Sequence, residues 1–151
     1  MTGRMPRVDF YVLEDADGDS RLRLACRLAE KAFSPDQRVY VLASSADEAR
    51  QLDELLWTFR DRSFVPHALV GAPDADLMPV LIGTEATAIE KADVLINLGS
   101  GVPTGYERFG RIVEPLDGDR ERRQQGRERF RYYRERGDNP QSHDVGANNE
   151  P

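Results

Sequence analysis

Three short runs of almost uninterrupted apolar residues constrain this chain more than any other feature. They occupy residues 39–43, 80–82 and 94–98, and they are rich in valine, isoleucine and leucine. A strand that is covered on one face only alternates apolar and polar residues, whereas a parallel strand buried on both faces reads as a continuous apolar run. Each run is too short for a helix, so the sequence predicts the buried parallel strands of an α/β fold.

The segments between these runs carry helix signals. The apolar face of a predicted helix over residues 20–33 holds Leu22, Cys26, Ala29 and Phe33. Ser45 precedes Glu48 with the spacing of a capping box, which predicts a second helix that ends near Phe59. A third, strongly charged helix is predicted over residues 119–136. Further strands are predicted at residues 8–13, 66–71 and 111–115, where β-forming residues gather.

These elements together predict a single α/β domain. We expect a mainly parallel, twisted sheet flanked by helices, Rossmann-like but without a phosphate-binding loop. The domain is predicted to span residues 1–137. Residues 138–151 are polar and contain proline, asparagine, aspartate and glycine, so we expect a disordered tail there, with His143 inside it.

Residue counts argue against several kinds of chemistry. A phosphate-binding loop needs the pattern Gly-x-x-x-x-Gly-Lys-Ser/Thr, which this sequence lacks. Cys26 is the only cysteine, and His67 and His143 are the only histidines, so we expect no cofactor, no metal site and no disulfide. An enzyme on a nucleotide-binding fold stays an alternative hypothesis that no acid–base pair supports. The single cysteine and the polar N-terminus lead us to expect a cytoplasmic protein.

Charge is distributed unevenly along the chain. The net charge is −6, yet residues 120–136 contain eight arginines and only three glutamates. Arg123, Arg127, Arg131 and Arg134 share one stripe of the predicted last helix, beside Phe130. Guanidinium groups next to an aromatic ring suit a ligand that is both anionic and apolar, such as an acidic peptide with a hydrophobic end. A solvated helix whose aromatic residues pack in the core is the alternative interpretation.

A second informative segment is aromatic. Trp57, the only tryptophan, stands near the end of the second predicted helix and is followed by Phe59 and Phe64. Such a group is usually part of the core. A partly exposed aromatic ledge beside a binding groove is the less common arrangement, and the sequence leaves both open.

Four collinear segments resemble one protein family. They are Val8-Asp9-Phe10-Tyr11-Val12-Leu13, Leu52-Asp53-Glu54-Leu55-Leu56-Trp57 with Ser63-Phe64-Val65-Pro66-His67, Asp93-Val94-Leu95-Ile96-Asn97-Leu98, and Arg127-Glu128-Arg129-Phe130-Arg131-Tyr132-Tyr133-Arg134. In order and spacing they are similar to the chi subunit family of bacterial DNA polymerase III, a clamp-loader accessory subunit. The resemblance implies an α/β fold without catalysis, acting in DNA replication.

The resemblance also implies partners and binding residues. One partner is the acidic C-terminal tail of single-stranded-DNA-binding protein, which ends in Pro-Phe, and the other is the psi subunit, which joins chi to the clamp loader. The residues implied to hold the tail are Arg127 as the main arginine, Arg123, Arg131, Phe130 in place of a family tyrosine, Leu116 and Trp57. DNA would then be contacted indirectly. Direct binding of single-stranded nucleic acid by the arginine-rich helix is the alternative, which the acidic body of the chain disfavours.

Overall fold

The computed structural model describes residues 6–59, 64–89 and 92–145. In chain order the elements are β1 (Arg7–Val12), α1 (Gly18–Ala32), β2 (Val39–Leu42), α2 (Ala46–Thr58), β3 (His67–Leu69), β4 (Val80–Gly83), β5 (Val94–Asn97), β6 (Arg111–Leu116), α3 (Arg120–Glu135) and β7 (Gln141–Asp144). Short 3₁₀ turns lie at Ala75–Leu77, Ala86–Ala88 and Tyr106–Arg108. None of the helices within the described ranges has the length and apolar character that a membrane crossing requires.

The seven strands form one sheet in the order β3-β4-β2-β5-β6-β1-β7, and every described pair is parallel. All residues of β2, β4 and β5 are buried. The predicted α/β fold with a mainly parallel sheet is therefore confirmed, and the three apolar runs are its central strands, covered on both faces.

Helices cover the sheet in two layers. Leu24 of α1 and Leu52 of α2 pack in one core with Ile96, on one face of the sheet. Tyr133 of α3 packs in a second core with Phe10, on the other face. The layer that contains α3 is thus separated by the whole sheet from the layer that contains α1 and α2.

Side-chain caps begin the three helices, and the capping box predicted for α2 is confirmed, whereas α1 begins at Gly18 and not at residue 20 as predicted. Ser45 Oγ accepts a hydrogen bond from the Glu48 main-chain nitrogen at 3.1 Å, and the Glu48 carboxylate returns to the Ser44 nitrogen at 2.8 Å. Asp17 caps α1, and Asp119 caps α3 by accepting from the Arg122 nitrogen. These caps satisfy donors that a helix N-terminus otherwise leaves unpaired.

The C-terminal segment departs from the sequence prediction. Residues 138–145 were predicted to be disordered, but Gln141–Asp144 form β7, which pairs in parallel with β1 at the edge of the sheet. His143 Nε2 lies 2.9 Å from Asp9 Oδ1, and its ring stacks on Tyr11 with 4.8 Å between centroids. These side-chain contacts hold a strand whose own composition favours a loop. Residues 146–151 of the predicted tail lie outside the described residues, and the domain boundary at residue 137 stays a prediction.

Candidate functional site

A small groove runs between α3 and the outer strands of the sheet, and we call it the basic groove. Its volume is about 200 Å³, and it is lined by Phe10, Val12, Leu116, Arg123, Gly126, Arg127, Phe130 and Ser142. Cofactor pockets are usually larger than this, so the groove suits one large apolar side chain with a charged neighbour.

The floor of the basic groove depends on a glycine in the middle of α3. A Cβ at Gly126 would stand 2.5 Å from Leu116 Cδ1, so a larger residue at this position would require the Leu116 side chain, which lines the groove, to move. Glycine within a helix costs about 1 kcal/mol relative to alanine, and the close packing offsets that cost. Phe10 and Phe130 complete the floor, with ring centroids 5.2 Å apart.

Two arginines form the rim of the groove, and they differ in how they are bound. Arg123 donates from Nε to the main-chain oxygen of Asp117 at 2.9 Å and from Nη2 to that of Leu13 at 2.8 Å. Arg127 is exposed, and its Nη2 donates to the Gln124 side chain at 3.1 Å. Arg123 therefore helps to hold the groove together, while Arg127 has most of its donors directed to solvent.

The structure brings together four of the six residues that the sequence predicted for tail binding. Leu116, Arg123, Arg127 and Phe130 all line the basic groove. Arg131 is exposed on α3, one turn after Arg127, and is not among the described residues of the lining. Trp57 belongs to α2, in the layer on the opposite side of the sheet.

The placement of Trp57 near the groove is therefore wrong. The sheet separates its helix from α3, so Trp57 cannot touch a ligand held in the groove. Sequence reasoning also missed Phe10, Val12 and Ser142, which line the groove from β1 and β7. Alternation in β1 was a signal for the first two, because residues 8, 10 and 12 share one face of a strand.

A buried ion pair lies beneath α3. Arg129 Nε donates to Glu114 at 3.0 Å, and the Tyr133 hydroxyl and Asn97 Nδ2 donate to the same carboxylate at 2.7 and 3.0 Å. Arg129 Nη1 also donates to the main-chain oxygen of Ser100 at 2.7 Å. Burial raises the pKa of Glu114, and Arg129 is the strongest opposing influence. The network fixes the position of α3 on the sheet, and so the shape of the basic groove.

Exposed aromatic rings mark the other layer. Trp57 is 53% exposed and Phe64 is 65% exposed. Their ring centroids lie 5.6 Å apart, and the Trp57 ring lies 4.5 Å from that of the buried His67. We call Trp57 and Phe64 the aromatic patch. His67 has a structural role, since its ring nitrogens lie 2.6 Å from the Val65 oxygen and 2.8 Å from the Asp53 oxygen.

A wider crevice opens at the carboxyl ends of β2, β4 and β5, where α/β folds commonly bind ligands. Its volume is about 500 Å³, and Glu85 is the only ionisable side chain among the described residues that line it.

Cys26 is buried in the core of the α1 layer, where burial raises the pKa of its thiol to about 12. Within the described residues, no group of three or more His, Cys, Asp or Glu side chains is placed to hold a metal ion.

Comparison with known proteins identifies the family. The family model for the DNA polymerase III chi subunit, HolC, matches residues 5–141. The chain belongs to the DNA polymerase III chi subunit family. DNA polymerase III subunit chi of Pseudomonas aeruginosa is 40% identical over 139 residues, which cover 92% of this chain and 96% of that protein. The Escherichia coli K12 subunit is 30% identical over 140 residues, with 89% and 95% coverage.

The resemblance predicted from the four collinear segments is thus confirmed. A third relative, from Haemophilus influenzae, is 29% identical over 138 residues and covers 91% of this chain. Membership in the chi family makes this chain an accessory subunit of DNA polymerase III in DNA replication, with the polymerase complex as its partner.

Proposed function

We propose that the chain is a non-catalytic adaptor, which binds the acidic C-terminal tail of single-stranded-DNA-binding protein and connects it, through psi, to the clamp loader. The observation that carries the proposal is the exposed Arg127 guanidinium beside an apolar groove of single-side-chain size. A tail that is acidic and ends in phenylalanine has both features that this groove complements.

In the proposed complex, the terminal phenylalanine of the tail enters the basic groove between Leu116 and Phe130. Its carboxylate and neighbouring acidic side chains accept hydrogen bonds from Arg127, with Arg123 at one end of the groove and Arg131 one turn further along α3. Burying one phenylalanine contributes about 2 kcal/mol, and each exposed charged contact contributes about 1 kcal/mol or less. After the cost of association, a dissociation constant of roughly micromolar order is expected, and added salt weakens the binding.

The surface for psi is proposed to be the aromatic patch. Large aromatic side chains are enriched at protein–protein interfaces, whereas charged residues are depleted from the centres of these interfaces. Trp57 and Phe64 stand on the opposite side of the sheet from the basic groove. A partner that covers the patch therefore leaves the groove open, and an adaptor needs both partners bound at once.

The lack of catalysis is part of the proposal. The wide crevice combines hydroxyl and main-chain groups with the single carboxylate of Glu85, and an acid–base mechanism needs a second titratable group in reach. The buried Glu114 and Arg129 pair with each other at 3.0 Å beneath α3.

Direct binding of single-stranded nucleic acid is disfavoured because much of the charge on α3 is already compensated. Within α3, Arg122 pairs with Asp117, Arg129 pairs with Glu114 and Arg123 donates to main-chain oxygens, and Arg136, directly after the helix, pairs with Glu107. A nucleic-acid surface depends on many cations that are free to neutralise phosphates. The chain as a whole carries a net charge of −6.

Fluorescence anisotropy of a labelled acidic tail peptide tests the proposal. We expect saturable binding by the wild-type protein, and we expect Arg127→Ala or removal of the last phenylalanine to weaken it about tenfold each, or ~1.4 kcal/mol. Arg23→Ala is the matched control, because it removes one exposed arginine from α1 on the far side of the sheet. Equal losses in the two arginine variants would contradict a local site, and tight binding of single-stranded DNA instead of the peptide would favour the alternative function.

A further inference from the structure

The edge strand β7 forms a second wall of the basic groove. Its residues pair with β1 in the register Phe10 with Ser142 and Val12 with Asp144. Phe10 and Val12 belong to the core on the α3 side of the sheet. Because paired residues of parallel strands point to the same face, Ser142 and Asp144 stand on that side too. Ser142 lines the groove.

The opposite face of the same strand anchors it. His143 contacts Asp9 at 2.9 Å and stacks on Tyr11, and the Val145 nitrogen donates to the Val12 oxygen at 3.0 Å. Arg111 Nε also donates to Asp9 at 3.0 Å. The strand is therefore fixed by main-chain pairing with β1 and by the His143 contacts on the face away from α3, while Ser142 and Asp144 on its other face are exposed.

The two walls of the groove carry opposite charge. Arg123 and Arg127 stand on the α3 wall, and the exposed Asp144 stands on the β7 side, in one row across the strands with Val12 and Leu116. An anionic ligand is attracted to the first wall and repelled from the second. Within a Debye length of about 8 Å this difference acts even at physiological salt.

We propose that β7 determines how the acidic peptide lies in the groove, an inference that rests on the proposed function. The small Ser142 side chain leaves the space that the hydrophobic end of the peptide fills. Asp144 confines the acidic residues of the peptide to the α3 wall. The ligand class is a peptide that is acidic along its length and apolar at its end, and β7 selects against a peptide with acidic side chains on both sides.

Substitutions on alternate faces of β7 test this inference. Ser142→Leu fills the groove, and we expect it to weaken binding of the acidic tail peptide about tenfold or more. Gln141→Leu is the matched control, since it adds the same side chain one residue away on the other face of the strand, and we expect a change within about twofold. Asp144→Asn removes the repulsion, and we expect binding about twofold tighter at low salt.

Each outcome decides a different point. Peptide binding that is weakened in Arg127→Ala locates the site in the groove, and absence of binding by the wild-type protein overturns the proposed function. If the wild type binds and Ser142→Leu binds equally well, β7 is not a wall of the site and this inference is wrong. A Ser142→Leu protein with a lowered unfolding midpoint is replaced by Ser142→Val, which adds less volume and suits a strand. Unchanged binding by Asp144→Asn would overturn the role of charge in orienting the peptide.

Discussion

The basic groove and the aromatic patch show two ways of building a surface for another protein. The groove is constructed from polar bonds, with Arg123 bound to main-chain oxygens, Arg129 paired with Glu114 and Asp9 bound to His143. The patch is constructed from two rings, Trp57 and Phe64, left uncovered on the opposite layer. The first surface is shaped before its ligand arrives, and the second is apolar area that a partner must cover.

This difference separates the energetics of the two proposed partners. A preformed groove of one-residue size supports a weak, salt-sensitive and specific contact, in which exposed arginines contribute modestly. Exposed rings support a contact driven by burial of apolar area, which depends little on salt. An adaptor that keeps one partner while sampling the other gains from having both kinds of surface, separated by the sheet.

The largest expected effect comes from breaking the ion pair under the groove. Arg129→Met leaves the Glu114 carboxylate buried without its cation, and we expect stability to fall by about 3–5 kcal/mol. Urea unfolding measures this loss. Native-state emission of Trp57, the only tryptophan, should stay as in the wild type, because the patch lies on the other side of the sheet. A loss below about 1 kcal/mol would mean that the pair does not hold α3 in place.

Asp9 gives a pH-dependent test of the β7 wall. Burial opposes ionisation of Asp9, but hydrogen bonds from His143 and Arg111 outweigh it and lower its pKa below the ordinary value of 3.8. A lowered carboxyl pKa stabilises the fold above the unfolded-state pKa, and the stabilisation is lost as pH falls through the folded-state value. We expect Asp9→Asn to cost about 2 kcal/mol near pH 7.

The difference in the free energy of unfolding between the wild type and Asp9→Asn should become smaller below pH 3.8. Protonation of Asp9 then removes the charge from the wild type as well. Urea unfolding of both proteins at neutral and acid pH measures the difference. If the difference in the free energy of unfolding is the same at neutral and acid pH, the charge of Asp9 does not hold β7 to β1.

The smallest stability effect is expected at the aromatic patch. Trp57→Ala should cost at most about 1 kcal/mol, since half of the ring is already in water. The neighbouring Leu56 is buried, so Leu56→Ala is a matched control on the same helix, with an expected loss of about 2–5 kcal/mol. Thermal or urea unfolding compares the two. Equal losses would place Trp57 in the core and leave Phe64 as the remaining exposed ring of the patch.

Patterns within short segments were sufficient to predict most of the fold. The central strands β2, β4 and β5 follow from continuous apolar runs, and the start of α2 follows from Ser45 and Glu48, because these signals act over a few residues. β7 could not be predicted in the same way. The side-chain contact between His143 and Asp9 that helps to hold it joins residues 134 positions apart.

The candidate site was predicted in part, for a similar reason. The stripe on α3 and the resemblance to the chi family pointed to Arg123, Arg127 and Phe130, which the structure gathers in one groove. Trp57 was misplaced because the sequence does not reveal which face of the sheet each helix covers. Glu114 stands in a predicted strand, but the sequence does not distinguish its partner Arg129 from the exposed arginines of α3, because only the packing of α3 on the sheet brings the two together.

Titration of the acidic tail peptide into Arg127→Ala and Trp57→Ala proteins tests the central claim most directly. The two variants remove one large side chain from each surface, on opposite sides of the sheet. The account predicts that Arg127→Ala weakens peptide binding about tenfold, while Trp57→Ala stays within about twofold of the wild type. Peptide binding that is lost in Trp57→Ala and kept in Arg127→Ala would contradict it and place the tail site on the aromatic patch.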